Sequence, residues 1–431
     1  MKPEDFEVKS YPDLWESIGM DVERFEKMRC FLGDTYQRTF LTQENRPDSM
    51  AYFNWLVSEI HGARIMEIHA ARKSGRPVVG TFCIFVPEEL VLAARGICYA
   101  ICGGSHAPVS DAEKVLPRNI CPMVKSAYGF KLAKVCPYFQ SVDFVYGETT
   151  CDAKKKTWEH LEKMVPVHVM EIPQMKRRQD RTLWLEEVSI FKSQMENVTG
   201  REIRYEDIRE SIILMNNKRR ALQRLNRLQH HCPSVISGKD VLLIEQIAFF
   251  DEPGRFTEKV NNLCDELDER IAEGNYVAPA SAPRVLISGT PMAMPNWKAH
   301  DLVETLGGVI VNDESCVGTR YFKDLVDEEL ATIEDQLGAL TDRYMNIDCA
   351  CFTPNSERVE QVLKEYRESG AQGILHYSLQ FCNIYLIEAI KIQEACEIEG
   401  IPFLSIESDY SPEDIGQMQT RIEAFLEQIK G

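Results

Sequence analysis

Cysteine is the residue type here whose abundance and placement could do chemistry. The chain carries 14 cysteines in 431 residues. A thiolate is a soft metal ligand and a nucleophile, so thiols gathered at one place point to iron–sulfur, zinc or redox chemistry. Eight of them read as lying where strands end and loops begin. Cys102 closes ICYAIC before two glycines, Cys121 lies in RNICP, Cys136 in KVCP and Cys151 in ETTCD at a helix start. Cys316 ends VIVNDESC, Cys349 and Cys351 form a C-x-C, and Cys382 sits in LQFCN. Cys30, Cys232, Cys264 and Cys396 fall in helical or connecting segments. Cys83, inside TFCIF, reads as a small buried hydrophobe, and Cys98 joins this bland group. Cys121 to Cys136 and Cys136 to Cys151 are each 15 residues apart, which is not the C-x₂-C pairing of zinc ribbons or ferredoxins. A metal site must therefore be assembled by tertiary folding, and iron–sulfur ranks ahead of zinc because the nine histidines form no H-E-x-x-H pattern. The alternative is that most of the thiols are inert core residues.

The elements that must position these thiols follow from periodicity. Residues 1–75 read as an N-terminal helical segment, with Phe25, Met28, Phe31 and Leu32, then Tyr52, Trp55, Leu56 and Ile60, at helical spacing. Residues 76–175 read as a first α/β region, with strands in RPVVGTFCIF, ICYAICGG, DFVYGE and VPVHVMEI and a helix in CDAKKKTWEHLEKM. Residues 176–282 are charged and helical and close on the linker-like GNYVAPASAP. Residues 283–431 resume the alternation through RVLISGTPM, GVIVNDESC, MNIDCACF, QGILHYS and IPFLSIESD, with a last helix near 412–430. Strands alternating with helices predict parallel βαβ units. In open parallel sheets ligands bind outside the carboxyl ends of the strands, where most of these cysteines fall.

Composition narrows the function classes. With 49 Lys+Arg against 67 Asp+Glu the formal charge is −18, which repels phosphate and argues against nucleic-acid binding. No apolar run approaches the ~18 residues of a membrane span. MKPEDFEVKS lacks the layout of a signal peptide, so a cytoplasmic chain with reduced thiols is expected. SGKD at 237–240 lacks the upstream glycine and the Ser/Thr of a nucleotide-binding P-loop.

RNICPMVKSAYGF, DFVYGETTCDAKKK, LISGTPM, NDESCVGTRYF, LQFCNIYLIEAIK and IPFLSIESDYSPEDIGQMQTRIEAF together resemble the 2-hydroxyacyl-CoA dehydratase/benzoyl-CoA reductase superfamily, from about Arg76 to the C-terminus. That resemblance implies two doubly wound parallel-sheet α/β domains with an iron–sulfur cluster between them, in line with the pattern above. It also implies three cysteine ligands, matching Cys121, Cys151 and Cys382. The additional KVCPYF, NDESCVG and DCACFTPN bring in Cys136, Cys316, Cys349 and Cys351 and resemble the double-cubane cluster branch. There one subunit holds an [8Fe–9S] cluster by six thiolates, three per cubane, so six of these seven are expected, with the choice between Cys349 and Cys351 open. The implied function is reduction of a small molecule of the acetylene, azide or hydrazine type. Electrons would come from a separate ATP-hydrolysing iron–sulfur activator, and the implied assembly is a homodimer. The rival expectation is a 2-hydroxyacyl-CoA dehydratase subunit with a single [4Fe–4S] cluster.

Several accessory residues are candidates beside the thiols. His106 and Glu148, near strand ends, are candidate proton donors, against a surface or structural role. The amides of Gly103, Gly104, Gly147 and Gly289 are candidate donors to cluster sulfides, with plain turn roles as the alternative. Lys154, Lys155 and Lys156 either mark a docking face for the activator or form a solvated helix start.

Overall fold

The structure is a computed structural model and describes residues 7–430. Two four-stranded parallel sheets organise it. The first holds β1 (Val78–Thr81), β2 (Ile97–Ala100), β3 (Phe144–Glu148) and β4 (Val167–Met170) in the order β2-β1-β3-β4. The second holds β5 (Arg284–Gly289), β6 (Val309–Glu314), β7 (Gly373–Leu379) and β8 (Phe403–Ser408) in the order β6-β5-β7-β8. The two orders are the same. Each sheet is doubly wound, reversing direction between its first and third strands, and that switch point is where such sheets open a crevice.

The strands are short apolar runs because helices cover both faces. Every residue of β1, β3, β5, β6 and β7 is buried, including Asn312, Asp313 and Glu314, as parallel sheets require. The flanking helices show the complementary stripe. In Pro253–Glu273, Phe256, Val260, Leu263 and Leu267 are buried at helical spacing. That helix starts on Glu252, whose carboxylate accepts from the Gly254 and Arg255 N–H groups, and stops at Gly274 in the left-handed region.

Between the sheets in sequence lie four helices: Arg178–Thr199, Tyr205–Gln229, Gly238–Ile247 and Pro253–Glu273. Helix Tyr205–Gln229 joins the two halves through buried charge. Arg219 pairs with Glu89 at 2.6 Å, and Glu89 accepts the Tyr344 hydroxyl at 2.7 Å. Its neighbour Lys218 donates to the Tyr321 hydroxyl at 2.6 Å. Glu89 belongs to the first half, and Tyr321 and Tyr344 to the second. Such a network orients its partners, and removing one member strands a buried charge.

Two strand expectations differ from the structure. RPVVGTFCIF forms a strand only over β1, and the chain turns at Phe82, which leaves Cys83 past the carboxyl end. MNIDCACF forms no strand. Its backbone bonds are local turns, Cys349 N–H to Ile347 O and Phe352 N–H to Cys349 O, and Asn355 also donates to the Cys349 carbonyl. A short buried apolar run looks the same in sequence whether a ladder or turns satisfy its backbone.

Candidate thiol-rich site

Four strand ends deliver thiols to one place. Cys83 follows β1, Cys151 follows β3, Cys316 follows β6 and Cys382 follows β7. Cys83 and Cys151 thus flank the switch point of the first sheet. The remaining members arrive on loops: Cys121 ahead of helix Pro122–Leu132, and Cys349 with Cys351 ahead of helix Ser356–Ser369.

The thiols form two groups. In the first, the Cys121 and Cys382 side chains lie against each other and Cys151 lies close to both. All three are N-caps, of helices Pro122–Leu132, Asp152–Leu161 and Asn383–Glu399. Three positive helix ends therefore point at one group of sulfurs, an arrangement that favours negative charge. The Cys382 contact, with the Met123 and Val124 N–H groups, lowers the Cys121 thiol pKa against burial. Cys382, as the donor, is pushed well up.

In the second group Cys349 lies against Cys316 and Cys351, and Cys83 against Cys316. Hydrogen bonds from Cys316 and Cys351 push Cys349 well below an ordinary thiol, and Cys316 rises in return. Positive charge and a phenol back this group. Arg320 Nη1 donates to the Cys316 sulfur at 3.5 Å and also to the Tyr385 hydroxyl. Tyr385 stands 3.6 Å from the Cys349 sulfur and 4.0 Å from that of Cys316. Arg320 is held by Glu314 at 2.9 Å, and Glu314 accepts from Arg358 at 3.0 Å and from Ser288 at 2.8 Å.

One ammonium serves both groups. Lys154, buried, pairs with the fully buried Glu148. Its charge acts on Cys121 and Cys151 of the first group and on Cys83 and Cys351 of the second. Burial raises the Glu148 pKa, Lys154 opposes this and the Cys349 charge adds to it. Glu148 Oε2 has no hydrogen-bond partner.

The expected site residues divide accordingly. The structure brings together Cys121, Cys151 and Cys382, and separately Cys316, Cys349 and Cys351. It does not bring in Cys136, whose surroundings are Lys131 and the Tyr138 and Phe139 N–H groups, and whose thiol burial pushes up to about 11. Cys83 lies instead beside Cys316 in the second group. Reading TFCIF as strand interior hid it, and the signal that would have found it is a turn directly after VVGT. Glu148 lies at the site, whereas His106 is exposed on a loop. Of Lys154, Lys155 and Lys156 only Lys154 is buried. Lys155 and Lys156 are exposed and pair locally with Asp152 and Glu159. The glycines serve close packing. The Gly104 N–H is taken by the Met294 carbonyl at 3.1 Å, and a Cβ at Gly147 would sit 2.5 Å from the Trp158 indole. Arg320, Tyr385 and Tyr410 were not legible as site residues. Only the position of Tyr385, three residues into a helix capped by Cys382, gave any hint.

The donor set fits a multi-iron cluster. Among the described residues no three His, Cys, Asp or Glu side chains gather as ligands of a single ion. An iron–sulfur cube asks for something else, soft thiolates each on its own iron. An orphaned donor points the same way: the Tyr410 hydroxyl is buried, has no partner, and has Cys121, Cys102 and Cys382 around it. A hydrogen-bond donor held among thiols without an acceptor suits a site where sulfide would accept.

Comparison with known proteins agrees with this site. The family described as 2-hydroxyglutaryl-CoA dehydratase, D-component, matches residues 83–429. YjiM of Escherichia coli (strain K12), named only as a candidate dehydratase subunit, is 36% identical over 381 residues, 86% of this chain and 96% of that protein. The beta subunit of (R)-2-hydroxyglutaryl-CoA dehydratase of Acidaminococcus fermentans is 24% identical over 83% of this chain and 94% of its own length. One of the subunits of benzoyl-CoA reductase of Thauera aromatica is 23% identical over 80% of this chain and 88% of its own length. No helix among the described residues is long and apolar enough to cross a membrane. With the family match covering all seven grouped cysteines, this chain belongs to the 2-hydroxyglutaryl-CoA dehydratase D-component family.

Proposed function

We propose that this chain is an iron–sulfur reductase subunit whose two thiol groups hold a double-cubane [8Fe–9S] cluster. The observation that carries the reading is the sharing of Lys154 by two groups, Cys121–Cys151–Cys382 and Cys83–Cys316–Cys349/Cys351. Three thiolates per group give six, with one of Cys349 and Cys351 beside the cluster. The group would supply electrons at low potential to a small molecule, after delivery by a separate ATP-hydrolysing iron–sulfur activator to a homodimer of this chain.

The chain's own residues have definable parts. Three helix N-termini, Lys154 and Arg320 offset the negative charge gathered between the sheets. Tyr385 and Tyr410 offer hydrogen bonds to sulfur, and Glu148, with one free oxygen, is placed to hold a proton. Burial of Cys121, Cys316 and Cys349 keeps water away.

Iron and acid-labile sulfide per chain, on anaerobically purified protein, test the reading. About eight irons are expected. About four would favour the second reading, a dehydratase subunit with one [4Fe–4S] cluster on Cys121, Cys151 and Cys382; the names of the relatives support its dehydratase part. None after reconstitution would sink both.

A further inference from the structure

A cavity of about 740 Å³ opens beside the thiol site, and none of the roles above uses it. It is built where parallel sheets place ligands, from the loops that follow β2, β5 and β8. Its floor is tight. Gly104 donates to the Met294 carbonyl at 3.1 Å, and a Cβ there would lie 2.0 Å from the Ala293 carbonyl oxygen, so two of these loops meet backbone to backbone. Helix Val22–Tyr36 covers the cavity with Phe25, Met28 and Leu32, and Phe31 stands 68% exposed at its rim.

The wall is mostly apolar, and most of its charged members are paired with residues behind it, while Arg38 reaches only the Asp34 carbonyl at 3.4 Å. Arg29 pairs with Glu26 at 2.6 Å, Lys298 with Asp414 at 2.5 Å and Asp301 with Lys239 at 3.1 Å. Tyr410 and Cys102 form the wall on the side of the thiols. The Tyr410 side chain lines the cavity, while its buried hydroxyl has Cys121, Cys102 and Cys382 for surroundings.

We propose that this cavity binds a neutral, largely apolar small molecule of about one to two rings and holds it against Tyr410, next to the Cys121–Cys382 pair. The volume falls in the range of small-molecule sites, roughly 300–1,000 Å³, and far exceeds what a diatomic or triatomic substrate fills. An apolar wall with mostly paired charges rewards burial of apolar surface and penalises a free charge. The molecule's reduction rests on the function proposed above; its binding does not, since the apolar wall is formed by protein side chains and loops alone.

Prodan, a neutral two-ring naphthalene fluorophore, is the probe, titrated into the full chain with iron measured on the same sample. Saturable binding at one site per chain is expected. Leu32→Trp, which narrows the cavity, should weaken it about tenfold, and Ile398→Trp on the exposed surface should not change it. On the unaltered chain, saturating probe should slow methanethiosulfonate modification of Cys102 several-fold and leave exposed Cys232 unaffected, which keeps the test independent of how the Trp variant folds. Absence of saturable binding overturns the inference, as does binding with Cys102 unprotected. Affinity that falls as the chain self-associates also overturns it, in favour of a second copy covering the cavity. Binding in iron-free protein that cannot be reconstituted would sink the cluster and leave the cavity site standing; a full iron complement without binding would do the reverse.

Discussion

The Tyr385 hydroxyl lies 3.6 Å from the Cys349 sulfur, and Tyr385 sits on the helix that Cys382 caps, so one helix end reaches both thiol groups. Arg320 already donates to this hydroxyl, and a guanidinium only donates, so the phenol proton is left for sulfur. Hydrogen bonds to sulfur raise the reduction potential of an iron–sulfur centre by stabilising added charge. Tyr385→Phe is expected to keep its iron and shift the midpoint potential to more negative values in an anaerobic redox titration. An unchanged potential would remove Tyr385 from the site.

Cys83 and Cys136 exchange roles between sequence and structure, and their serine variants separate the two. Cys83→Ser should lose iron and change the visible spectrum, because Cys83 lies against Cys316. Cys136→Ser should keep both, since its thiol faces Lys131 and two backbone amides. Iron analysis of the two proteins side by side decides it.

Lys154 and Glu148 form a buried pair, and removing one partner leaves an unanswered charge. Lys154→Met should cost roughly 3–5 kcal/mol of stability. Replacing both residues, Lys154→Met with Glu148→Leu, should recover much of that loss, because the stranded charge goes too. Denaturant unfolding of the iron-free proteins measures this; a double variant no more stable than the single would refute it.

His61 gives the chain a built-in acid sensitivity. Burial, helped by Arg29, lowers its pKa from 6.5 to about 3, so the folded state holds it neutral while the unfolded state takes up a proton below 6.5. The unfolded state then binds more protons, and stability falls as pH drops below 6.5. Between pH 6.5 and 5 the loss should approach about 2 kcal/mol. His61→Phe, which preserves the edge contact with Phe25, should flatten that limb in denaturant unfolding measured across pH.

The alternation of β-branched runs with amphipathic helices determined by itself that two parallel α/β sheets would form. The period of the apolar residues is a local property, and parallel strands buried on both faces leave a plain record of it. Cys121, Cys151 and Cys382 stood out as a set through the family resemblance, and only Cys151 also showed a helix start directly after a strand. Membership of the two thiol groups was not legible. Cys83 and Cys136 both follow short apolar runs, and only the turn at Phe82 and the packing of 137–141 send one to the site and the other to the cavity wall. Lys154 looked like one of three solvated lysines, since a charge run in sequence does not say which member a helix turns inward. Pairing with Glu148, six residues earlier and across the end of β3, is what buries it. The 14 cysteines pointed to thiol chemistry, and contacts between residues hundreds of positions apart decided which of them gather in one place.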